Sequence, residues 1–466
     1  MTFKNEKLEE FNNFIKNRNV AIIGIGVSNI PLLEYMCDFG ANVTAFDSRT
    51  FENLPEEAVK IIKKYNIKTS LGVDNLKNLV GFDIIFRSPS CMPTIPELKK
   101  EEERGAIITT EIEMVLKMSP STIIGITGSD GKTTTTSLIY AILKEKGYNC
   151  FLGGNIGIPL FTKIKDMKPD DFVVLEMSSF QLMEMEASPK VSVITNITPN
   201  HLNVHKDYAE YINAKKNIFK YQDNKGIVVL NYDNDLTREA SKEVNGEVRF
   251  FSSIEKLDNG IILDGEVIKE CKNRVRRHIL NTKEVKLRGR HNYENICAAI
   301  SATSDFVDTE TQIKAICNFS GVEHRLEFIR EINGVKWYND SIGTSPTRTI
   351  AGLKSFEEDI ILIAGGYDKH LDYHPIAKPI LDKVKTLILM GQTAQKIYDA
   401  VQEEERKENK KIETYMCDSL EDTVRVANSV AKKGQIVLFS PASASFDLFK
   451  NFEERGRKFK ELVNNL

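Results

Sequence analysis

The stretch ITGSDGKTTTT, residues 126–136, has the residue types and spacing of a phosphate-binding loop. Gly128 and Gly131 let the backbone curl around phosphate oxygens, Lys132 can neutralise them, and the Thr133 hydroxyl is placed to ligate Mg²⁺. The strict pattern has glycine where this chain has Ile126, so the loop is a shortened variant. Because it joins an apolar run to a helical pattern, we predict that it binds a nucleotide. The predicted contacts are Gly128, Ser129, Asp130, Gly131, Lys132, Thr133 and Thr134.

A carboxylate and two histidines follow the loop. Glu176 ends the apolar run FVVLE, where a metal ligand beside the phosphates would stand; a solvated strand-end glutamate is the alternative. His201 and His205, four apart, have the spacing of a zinc pair. We reject zinc, because the glutamate of His-Glu-x-x-His and a third ligand are both missing. We expect His205 at the surface, whereas His201 could face the phosphates.

Three further segments carry polar groups whose role the sequence leaves undecided. GIGVSNI, residues 24–30, follows the first apolar run like a dinucleotide fingerprint, but Asn29 occupies its third glycine position. AFDSR, ending at Arg49, supplies an acceptor for a ribose or base and a cation; ordinary glycine turns explain the pair equally well. In YINAKKNIF the lysines would by default be solvated, which is our interpretation of Lys216; for Lys215 the pattern decides nothing.

The elements that must position these residues are short, continuously apolar runs separated by helical patterns. Such runs are typical of strands buried on both faces of parallel sheets, whose ligands gather at the carboxyl ends of the strands. Three clusters of runs predict an α/β chain of three domains, 1–110, 111–321 and 322–466. We expect residues 233–286 to be an insertion of short strands. The ten runs are VAIIG, VTAFD, DIIFR, TIIGITG, FVVLE, VSVITN, GIVVLN, DIILIAGG, TLILMG and QIVLFS.

Composition limits the classes of function. The 466 residues include 28% charged and 41% hydrophobic ones, and the net charge of −3 gives no global attraction to nucleic acid or anionic membranes. The seven cysteines contain no Cys-x-x-Cys pair, so we expect reduced thiols rather than disulfides or zinc. The N-terminus lacks the apolar core of a signal peptide, and no run approaches the roughly 18 apolar residues of a membrane span. We expect a cytoplasmic protein, a monomer, without nucleic-acid partners.

Taken in chain order, the motifs resemble those of the Mur ligases over essentially the whole chain. AFDSR, SSFQL and SPASASFDLFKNFEERG resemble the D-glutamate-adding branch of that family, and several other segments are shared with folylpolyglutamate synthases. The segments that carry the resemblance are ITGSDGKTT, GGNIG, LEMSSFQL, Asn200-His201, YINAKK, GRHNYEN, EHRLE, NDSIGTSP, GGYDK and SPASASFDLFKNFEERG.

The resemblance implies a Rossmann-like N-terminal domain that binds a UDP-sugar, a central P-loop ATPase-like domain, and a Rossmann-like C-terminal domain that binds D-glutamate. It also implies a two-step reaction. ATP phosphorylates the L-alanine carboxylate of UDP-N-acetylmuramoyl-L-alanine, and the amine of D-glutamate then attacks the acyl phosphate to give an amide, ADP and phosphate. Closure of the third domain is expected to complete the site and exclude water.

The resemblance also assigns residues. Two Mg²⁺ ions are expected on Thr133, Glu176, His201 and Lys215, with Lys215 carbamylated and therefore an anionic oxygen ligand. The implied catalytic residues are Lys132, Glu176, His201, Lys215 and Arg325. Further nucleotide contacts are Asn292, Asn295, Arg325 and Asp340. The implied UDP-sugar contacts are Gly26, Val27, Ser28, Asp47, Ser48, Arg49, Ser88 and Asn155, and the implied D-glutamate contacts are Thr344, Lys369, Ser445 and Phe452.

The chain departs from the family pattern at two places. Ile342 stands where D-glutamate enzymes often carry lysine, and GGYDK replaces Gly-Gly-Asp-Gly-Lys, which shifts the acid to Asp368. Lys369 would then carry more of the charge that an acidic substrate needs. Another Mur ligase or a folylpolyglutamate synthase is the alternative within the fold. A nucleotide switch would leave AFDSR and SPASAS unexplained, and Asn29 disfavours an NAD-dependent oxidoreductase.

Overall fold

The computed structural model describes residues 4–199, 205–369 and 371–466. Within those residues the strands form sheets of five, nine and six strands. Each sheet falls inside one of the three predicted segments, and the prediction of an α/β chain with three domains is confirmed. The boundaries after residues 110 and 321 stay predictions. No helix in the described ranges has the length and apolar character needed to cross a membrane.

The first sheet is entirely parallel and has the strand order of a Rossmann-like domain, β3-β2-β1-β4-β5. Its strands are β1 (Asn19–Ile23), β2 (Asn42–Asp47), β3 (Lys68–Leu71), β4 (Ile84–Arg87) and β5 (Ile107–Thr109). The accompanying helices are α1 (Glu6–Ile15), α2 (Ile30–Asp38), α3 (Glu56–Tyr65), α4 (Pro96–Glu103) and α5 (Glu111–Met118), with 3₁₀ turns at Phe51–Asn53 and Asn75–Asn78.

The central sheet has the order β14-β13-β12-β11-β10-β9-β6-β8-β7. Its strands are β6 (Thr122–Thr127), β7 (Cys150–Gly154), β8 (Phe172–Glu176), β9 (Val191–Ile194), β10 (Ile227–Asn231), β11 (Glu247–Ser252), β12 (Gly260–Asp264), β13 (Val267–Lys272) and β14 (Val275–Asn281). Its helices are α6 (Lys132–Glu145), α7 (Ser179–Leu182), α8 (Tyr208–Lys220), α9 (Asp235–Ala240), α10 (Arg290–Thr303) and α11 (Thr309–Asn318), with 3₁₀ turns at Phe161–Asp166, Ser241–Glu243 and Thr282–Glu284.

The segment expected as an insertion of short strands extends this sheet. β11 and β12 continue it in parallel, and β12, β13 and β14 then form an antiparallel meander at its edge. The short strands are therefore present, but they hydrogen-bond to the central sheet rather than stand apart from it.

The third sheet has the order β15-β16-β20-β17-β18-β19, parallel except for β15. Its strands are β15 (Glu327–Ile332), β16 (Val335–Asn339), β17 (Ile360–Ala364), β18 (Val384–Met390), β19 (Glu413–Cys417) and β20 (Ile436–Phe439). Its helices are α12 (Pro346–Leu353), α13 (His374–Lys383), α14 (Ala394–Glu408), α15 (Leu420–Val430) and α16 (Phe452–Asn464).

All ten apolar runs form strands, which confirms that prediction. The described chain divides into two compact units. The first holds the first two sheets and comprises the residues up to Thr282 together with Glu294–Ile316. The second holds the third sheet and comprises Lys283–Tyr293 and Cys317–Leu466.

Candidate active site

The phosphate loop joins β6 to the N-terminus of α6, where free backbone N–H groups favour an anion. Two of its glycines are sterically required. Gly131 has φ +80°, and a Cβ there would lie 2.3 Å from Asn295 Oδ1. Gly128 has φ +150°, and a Cβ there would lie 1.9 Å from Thr195 Oγ1. The shortened loop is therefore held in one conformation by its neighbours.

Polar contacts from the adjacent strand end fix the rest of this loop. Asn196 accepts the N–H of Ser129 at 2.9 Å on its backbone oxygen and that of Asp130 at 2.9 Å on its side chain. The Ser129 hydroxyl lies 2.8 Å from that of Tyr211. Thr133 is half-buried and Thr134 is buried in the first turn of α6. The predicted loop residues thus form one contiguous, partly buried segment at the carboxyl end of β6.

Lys132 and Lys215 meet at a single backbone oxygen. Lys132 Nζ donates to Gly128 O at 2.8 Å and to Ser129 O at 2.9 Å, and Lys215 Nζ donates to Gly128 O at 2.7 Å. The structure therefore brings Lys215, which the residue pattern left open, onto the phosphate loop itself.

Lys215 lies on the buried stripe of α8, with Tyr211, Ala214, Ile218 and Phe219. It is 2% exposed, and its ammonium lies 4.7 Å from the centre of the Tyr211 ring. Burial, reinforced by the nearby charge of Lys132, lowers the pKa of Lys215 to about 7. A large fraction of this amine is consequently neutral near physiological pH. Lys216, beside it, ion-pairs with Glu243 at 2.6 Å.

Glu176 ends β8 directly beside β6, in register with Ile126. It is 1% exposed; Oε1 accepts from Asn155 Nδ2 at 2.9 Å, whereas Oε2 is buried without a hydrogen-bond partner. An unsatisfied buried carboxylate oxygen is costly unless a cation or donor meets it. The alternative of a solvated glutamate is wrong, because the side chain is buried. A buried carboxylate oxygen without a partner is the kind of ligand that a hard cation prefers.

The predictions for the two histidines fare differently. His201 lies outside the described residues. The expectation that His205 is a surface residue is wrong: it is 3% exposed and stacks on Phe180 at 5.0 Å between ring centroids. Its ring nitrogens lie 2.9 Å from Ser179 Oγ and 3.1 Å from Glu210 Oε2. His205 is buried because both nitrogens find polar partners there, which a sequence pattern does not reveal.

Asn292 and Asn295 both lie near the start of α10. Asn295 packs on the phosphate loop through Gly131 and accepts from Thr135 Oγ1 at 3.2 Å. Asn292 donates to Arg288 O at 2.7 Å. Asn295 therefore lies against the phosphate loop of the first unit. Contacts of Asn292 and Asn295 with adenine stay predictions.

In the first domain, Asp47 and Arg49 form an ion pair, and both also hydrogen-bond to the backbone of the glycine turn. Asp47 accepts from Ile25 N at 2.7 Å and from Arg49 Nε and Nη2 at 2.8 Å each, while Arg49 Nη2 also donates to Ile25 O at 2.7 Å. Burial alone would raise the pKa of Asp47, but hydrogen bonds from Arg49 and Ile25 bring it below its usual value. Asp47 therefore shapes the turn, besides any role as a ligand acceptor.

Asn29 explains the missing third glycine of that turn. Its side chain is buried and donates to the carbonyls of Ile23 and Gly24 at 3.0 Å each. Gly26, Val27 and Ser48 are exposed around the turn and Ser28 is half-buried. The predicted UDP-sugar residues thus line one end of the first sheet.

Ser88 and Asn155 are the remaining predicted UDP-sugar residues, and each packs within its own domain. Ser88 packs on Gly24, where a Cβ would lie 2.4 Å from Ser88 Oγ, and Asn155 holds Glu176 as described. The preceding Arg87, which the sequence interpretation missed, is 4% exposed and donates to Met183 O at 2.8 Å. A lone arginine ending the apolar strand DIIFR was the available signal.

In the second unit, four predicted residues lie on loops that follow three adjacent strands, β16, β20 and β17: Asp340, Thr344, Lys369 and Ser445. Arg325 precedes β15, and Phe452 begins α16. Asp340, just after β16, is 5% exposed and accepts from Ser440 Oγ at 2.6 Å and Leu326 N at 3.2 Å. Burial raises its pKa to about 6 despite these bonds. Arg325 lies between His324 and Leu326, which have φ +66° and +44°. Asp340 thereby orders the turn that carries Arg325.

Lys369 lies beside an aromatic pair. Its Nζ is 5.3 Å from the centre of the Phe446 ring, which meets Tyr367 edge-on at 5.9 Å. The neighbouring Asp368 ion-pairs with Lys396 at 2.5 Å. The acid displaced in GGYDK is therefore neutralised locally, while the ammonium of Lys369 is exposed at the loop surface.

Arg455 organises this end of the third domain, and the sequence interpretation did not single it out. It is 1% exposed on the apolar stripe of α16 and donates to the carbonyls of Ser341, Ser443 and Ala444 at 2.8–3.1 Å. Burial lowers its pKa to about 10. The sequence signal for its burial was its helical spacing from Phe459 and Val463, four and eight residues later. Arg455 thereby joins the loops that hold Thr344 and Ser445. Phe452, at the start of the same helix, accepts a hydrogen bond on its backbone oxygen from Ser341 Oγ at 2.8 Å.

Fold and geometry together define an α/β protein with a phosphate loop, a buried carboxylate and a buried lysine at the same sheet edge. Comparison with known families matches the Mur ligase middle domain over residues 126–303 and the Mur ligase glutamate ligase domain over residues 324–443. The chain belongs to the Mur ligase family.

Relatives cover nearly the whole chain. It is 50% identical to the UDP-N-acetylmuramoylalanine--D-glutamate ligase of Clostridium novyi (strain NT) over 457 residues, 98% of this chain and 99% of that protein. It is also 50% identical to the protein of that name from Acetivibrio thermocellus over 464 residues, 99% of each chain. Among solved structures, UDP-N-acetylmuramate-alanine ligase from Thermotoga maritima has a TM-score of 0.57 at 19% identity, covering 96% of this chain and 99% of that one.

Proposed function

We propose that this protein is an ATP-dependent ligase that joins D-glutamate to the L-alanine carboxylate of UDP-N-acetylmuramoyl-L-alanine in peptidoglycan precursor synthesis. The observation that carries the proposal is 50% identity to curated D-glutamate ligases over 98% of the chain. The site of the first unit supports the ATP-dependent part, because Lys132, Lys215 and Glu176 converge beside one phosphate loop.

The chemistry explains why a phosphate loop is needed. A carboxylate is a poor electrophile because it lacks a leaving group, so its oxygen first attacks the γ-phosphorus of ATP and ADP departs. The amine of D-glutamate then attacks the acyl carbon, phosphate leaves, and the nitrogen loses a proton. Lys132 and the backbone N–H groups of the loop would hold the phosphates, and Arg325 would add positive charge to the transferring group.

Mg²⁺ fits the residues at this edge. The buried Oε2 of Glu176 has no hydrogen-bond partner, and oxygen is the ligand that Mg²⁺ prefers. Thr133, Glu176 and a modified Lys215 would hold the ions together with His201, and bound Mg²⁺ would neutralise phosphate charge. Among the described residues, no group of three or more His, Cys, Asp or Glu side chains forms a metal site by itself, so the phosphates would complete the coordination.

Substituting Glu176→Gln should raise the Mg²⁺ concentration that half-saturates the enzyme by roughly 10-fold or more, because an amide keeps the shape but loses the charge. Binding of Mn²⁺ to the protein with ADP, followed by electron paramagnetic resonance, gives a readout independent of turnover. Glu210→Gln is the matched control, since Glu210 contacts His205 rather than the loop. Unchanged metal affinity in Glu176→Gln would exclude Glu176 as a ligand.

Carbamylation of Lys215 belongs to the same proposal. Only a neutral amine attacks CO₂, and the pKa of about 7 provides one. The carbamate would place two oxygens that share one negative charge near the position where the ammonium now meets Gly128 O. Carbon-13 NMR with labelled bicarbonate should detect one carbamate signal that disappears in Lys215→Met.

The amino-acid and sugar specificities are tested by phosphate release from ATP. We expect turnover with UDP-N-acetylmuramoyl-L-alanine plus D-glutamate, and little with L-glutamate, D-aspartate or no amino acid. Turnover that ignores the amino acid would contradict the assignment. Turnover only with L-lysine, diaminopimelate or D-alanyl-D-alanine would assign the chain to another Mur ligase reaction.

A further inference from the structure

Arg87, the last residue of β4, joins two parts of the first unit that are far apart in sequence. Its side chain is buried; Nη2 donates to Met183 O at 2.8 Å and Nη1 donates to Cys91 O at 3.2 Å. The two carboxylates whose charges reach it, Glu113 and Glu184, form ion pairs with lysines instead. A guanidinium taken out of water needs hydrogen bonds to compensate. The two carbonyl oxygens therefore fix the place of this side chain.

The strand β4 contacts the central segment on both of its faces. Side chains alternate along a strand, so Phe86 and Arg87 project in opposite directions. Phe86 is fully buried and meets Phe161, in the 3₁₀ turn after β7, edge-on at 6.2 Å between ring centroids. On the other face, Arg87 and Met183 line a cavity of about 700 Å³, so apolar packing does not fix the two parts there. The hydrogen bond from Arg87 consequently resists rotation of the first sheet against the central one.

The loop that follows Arg87 carries Ser88, a predicted UDP-sugar contact. Ser88 N donates to Ile23 O at 2.9 Å, and a Cβ on Gly24 would lie 2.4 Å from Ser88 Oγ. Cys91 N donates to Ser88 O at 3.0 Å, and Cys91 O is the second acceptor of the Arg87 guanidinium. Arg87 is thus bonded to the same short loop that packs on the glycine turn.

Met183, on the other side, adjoins the elements that carry the predicted metal ligands. Helix α7 begins three residues after Glu176 and ends immediately before Met183. Leu182, its last residue, accepts on its backbone oxygen from Asn217 Nδ2 at 2.9 Å. Asn217 lies on α8, two residues after Lys215. The Met183 carbonyl therefore lies where the segments of Glu176 and Lys215 meet.

We propose that Arg87 is a positioning residue for phosphorylation of the L-alanine carboxylate, because it holds the Ser88 loop in place relative to the segments of Glu176 and Lys215. The carboxylate is at the opposite end of the substrate from the uridine, so a small rotation of the first sheet moves it away from the γ-phosphate. A misplacement of about 1 Å can cost about 100-fold in rate. The inference rests on the proposed function and adds to it how the sugar-binding and phosphate-binding parts are kept in register.

Arg87→Met in the full-length enzyme is expected to lower kcat by roughly 10-fold or more, with each ligand bound nearly as in the wild type. Phosphate release at saturating substrates measures kcat. Calorimetric titration with UDP-N-acetylmuramoyl-L-alanine, and electron paramagnetic resonance of Mn²⁺ with ADP, should give dissociation constants within about 3-fold of the wild type, since an interaction that only positions reactants leaves binding unchanged. Arg87→Lys keeps a charged donor for Met183 O and should recover part of the lost kcat, which loss of fold stability alone would not explain.

Arg18→Met is the matched control, since Arg18 precedes β1 of the same sheet and forms an exposed ion pair with Asp83 at 2.9 Å. Its kcat should stay within about 2-fold of the wild type. A folded Arg87→Met enzyme with wild-type kcat would show the inference to be wrong, and so would a loss of activity explained entirely by weaker binding of one ligand. If Arg87→Met does not fold, the Arg87→Lys enzyme decides by the same two measurements. An inactive wild type would refute the proposed function instead.

Discussion

Replacing Lys132 by methionine is expected to lower the rate of ATP-dependent ligation by roughly 100-fold or more. Lys132 is the lysine of the phosphate loop, and losing one preorganised donor to the transferring phosphate costs about 10²–10³ in rate. Lys132 Nζ donates to two backbone oxygens of the loop, those of Gly128 and Ser129. Single-turnover formation of ADP measures the effect.

The exposed Lys144, in the last turn of the same helix, provides the control for that experiment. Lys144→Met changes net charge equally and should stay within about 2-fold of the wild type. Equal melting temperatures of the two variants would show that the loss is chemical. A Lys132→Met enzyme that turns over at the wild-type rate would remove this loop from the mechanism.

Lys215→Met is expected to abolish activity and at the same time to stabilise the fold. In the unfolded chain this amine has its ordinary pKa of 10.5, but in the folded protein its pKa is about 7. The unfolded state therefore binds more protons between these values, so the cost of burying Lys215 is full below pH 7 and disappears as the pH rises towards 10.5. The variant should gain on the order of 4 kcal/mol in free energy of unfolding at pH 7, and much less at pH 10.

Urea unfolding in CO₂-free buffer at both pH values measures that gain. Lys216→Met is the matched control, because Lys216 is the next residue and forms a partly exposed ion pair with Glu243. It should change stability by less than about 1 kcal/mol, with no comparable pH dependence. A gain from Lys215→Met that is the same at pH 7 and pH 10 would contradict a strongly lowered pKa. Stability given up at an active-site residue is a common cost of function.

The sequence predicted the parts of the fold that depend on continuous apolar runs. Buried parallel strands such as β8 and β17 need apolar residues on both faces, so they are recognisable in the sequence as continuous apolar runs. Edge strands such as β3 and β19 do not, because solvent covers part of each. Residues 233–286 showed strand character, but which sheet they join depends on long-range pairing that local composition does not encode.

The site was predicted where a motif is local and missed where partners come from distant segments. The phosphate loop is a contiguous motif, and Glu176 ends a strand that the apolar run FVVLE predicts. By contrast, His205 is buried by Ser179 and Phe180, and Arg455 by carbonyls more than ten residues away. Such assignments require the backbone path, which only the structure supplies.

The antiparallel meander at the end of the central sheet bears on edge-to-edge pairing between two copies of the chain. A nine-stranded sheet ends in a row of open backbone groups on β14, which could pair with another copy of the chain. The outer part of β14 is exposed and carries Arg276, Arg277 and His278, and Arg277 ion-pairs with Glu270 on β13. Charged side chains along an edge strand make pairing with a second molecule unfavourable. The meander therefore closes a long sheet with a strand whose chemistry discourages its further growth into aggregates.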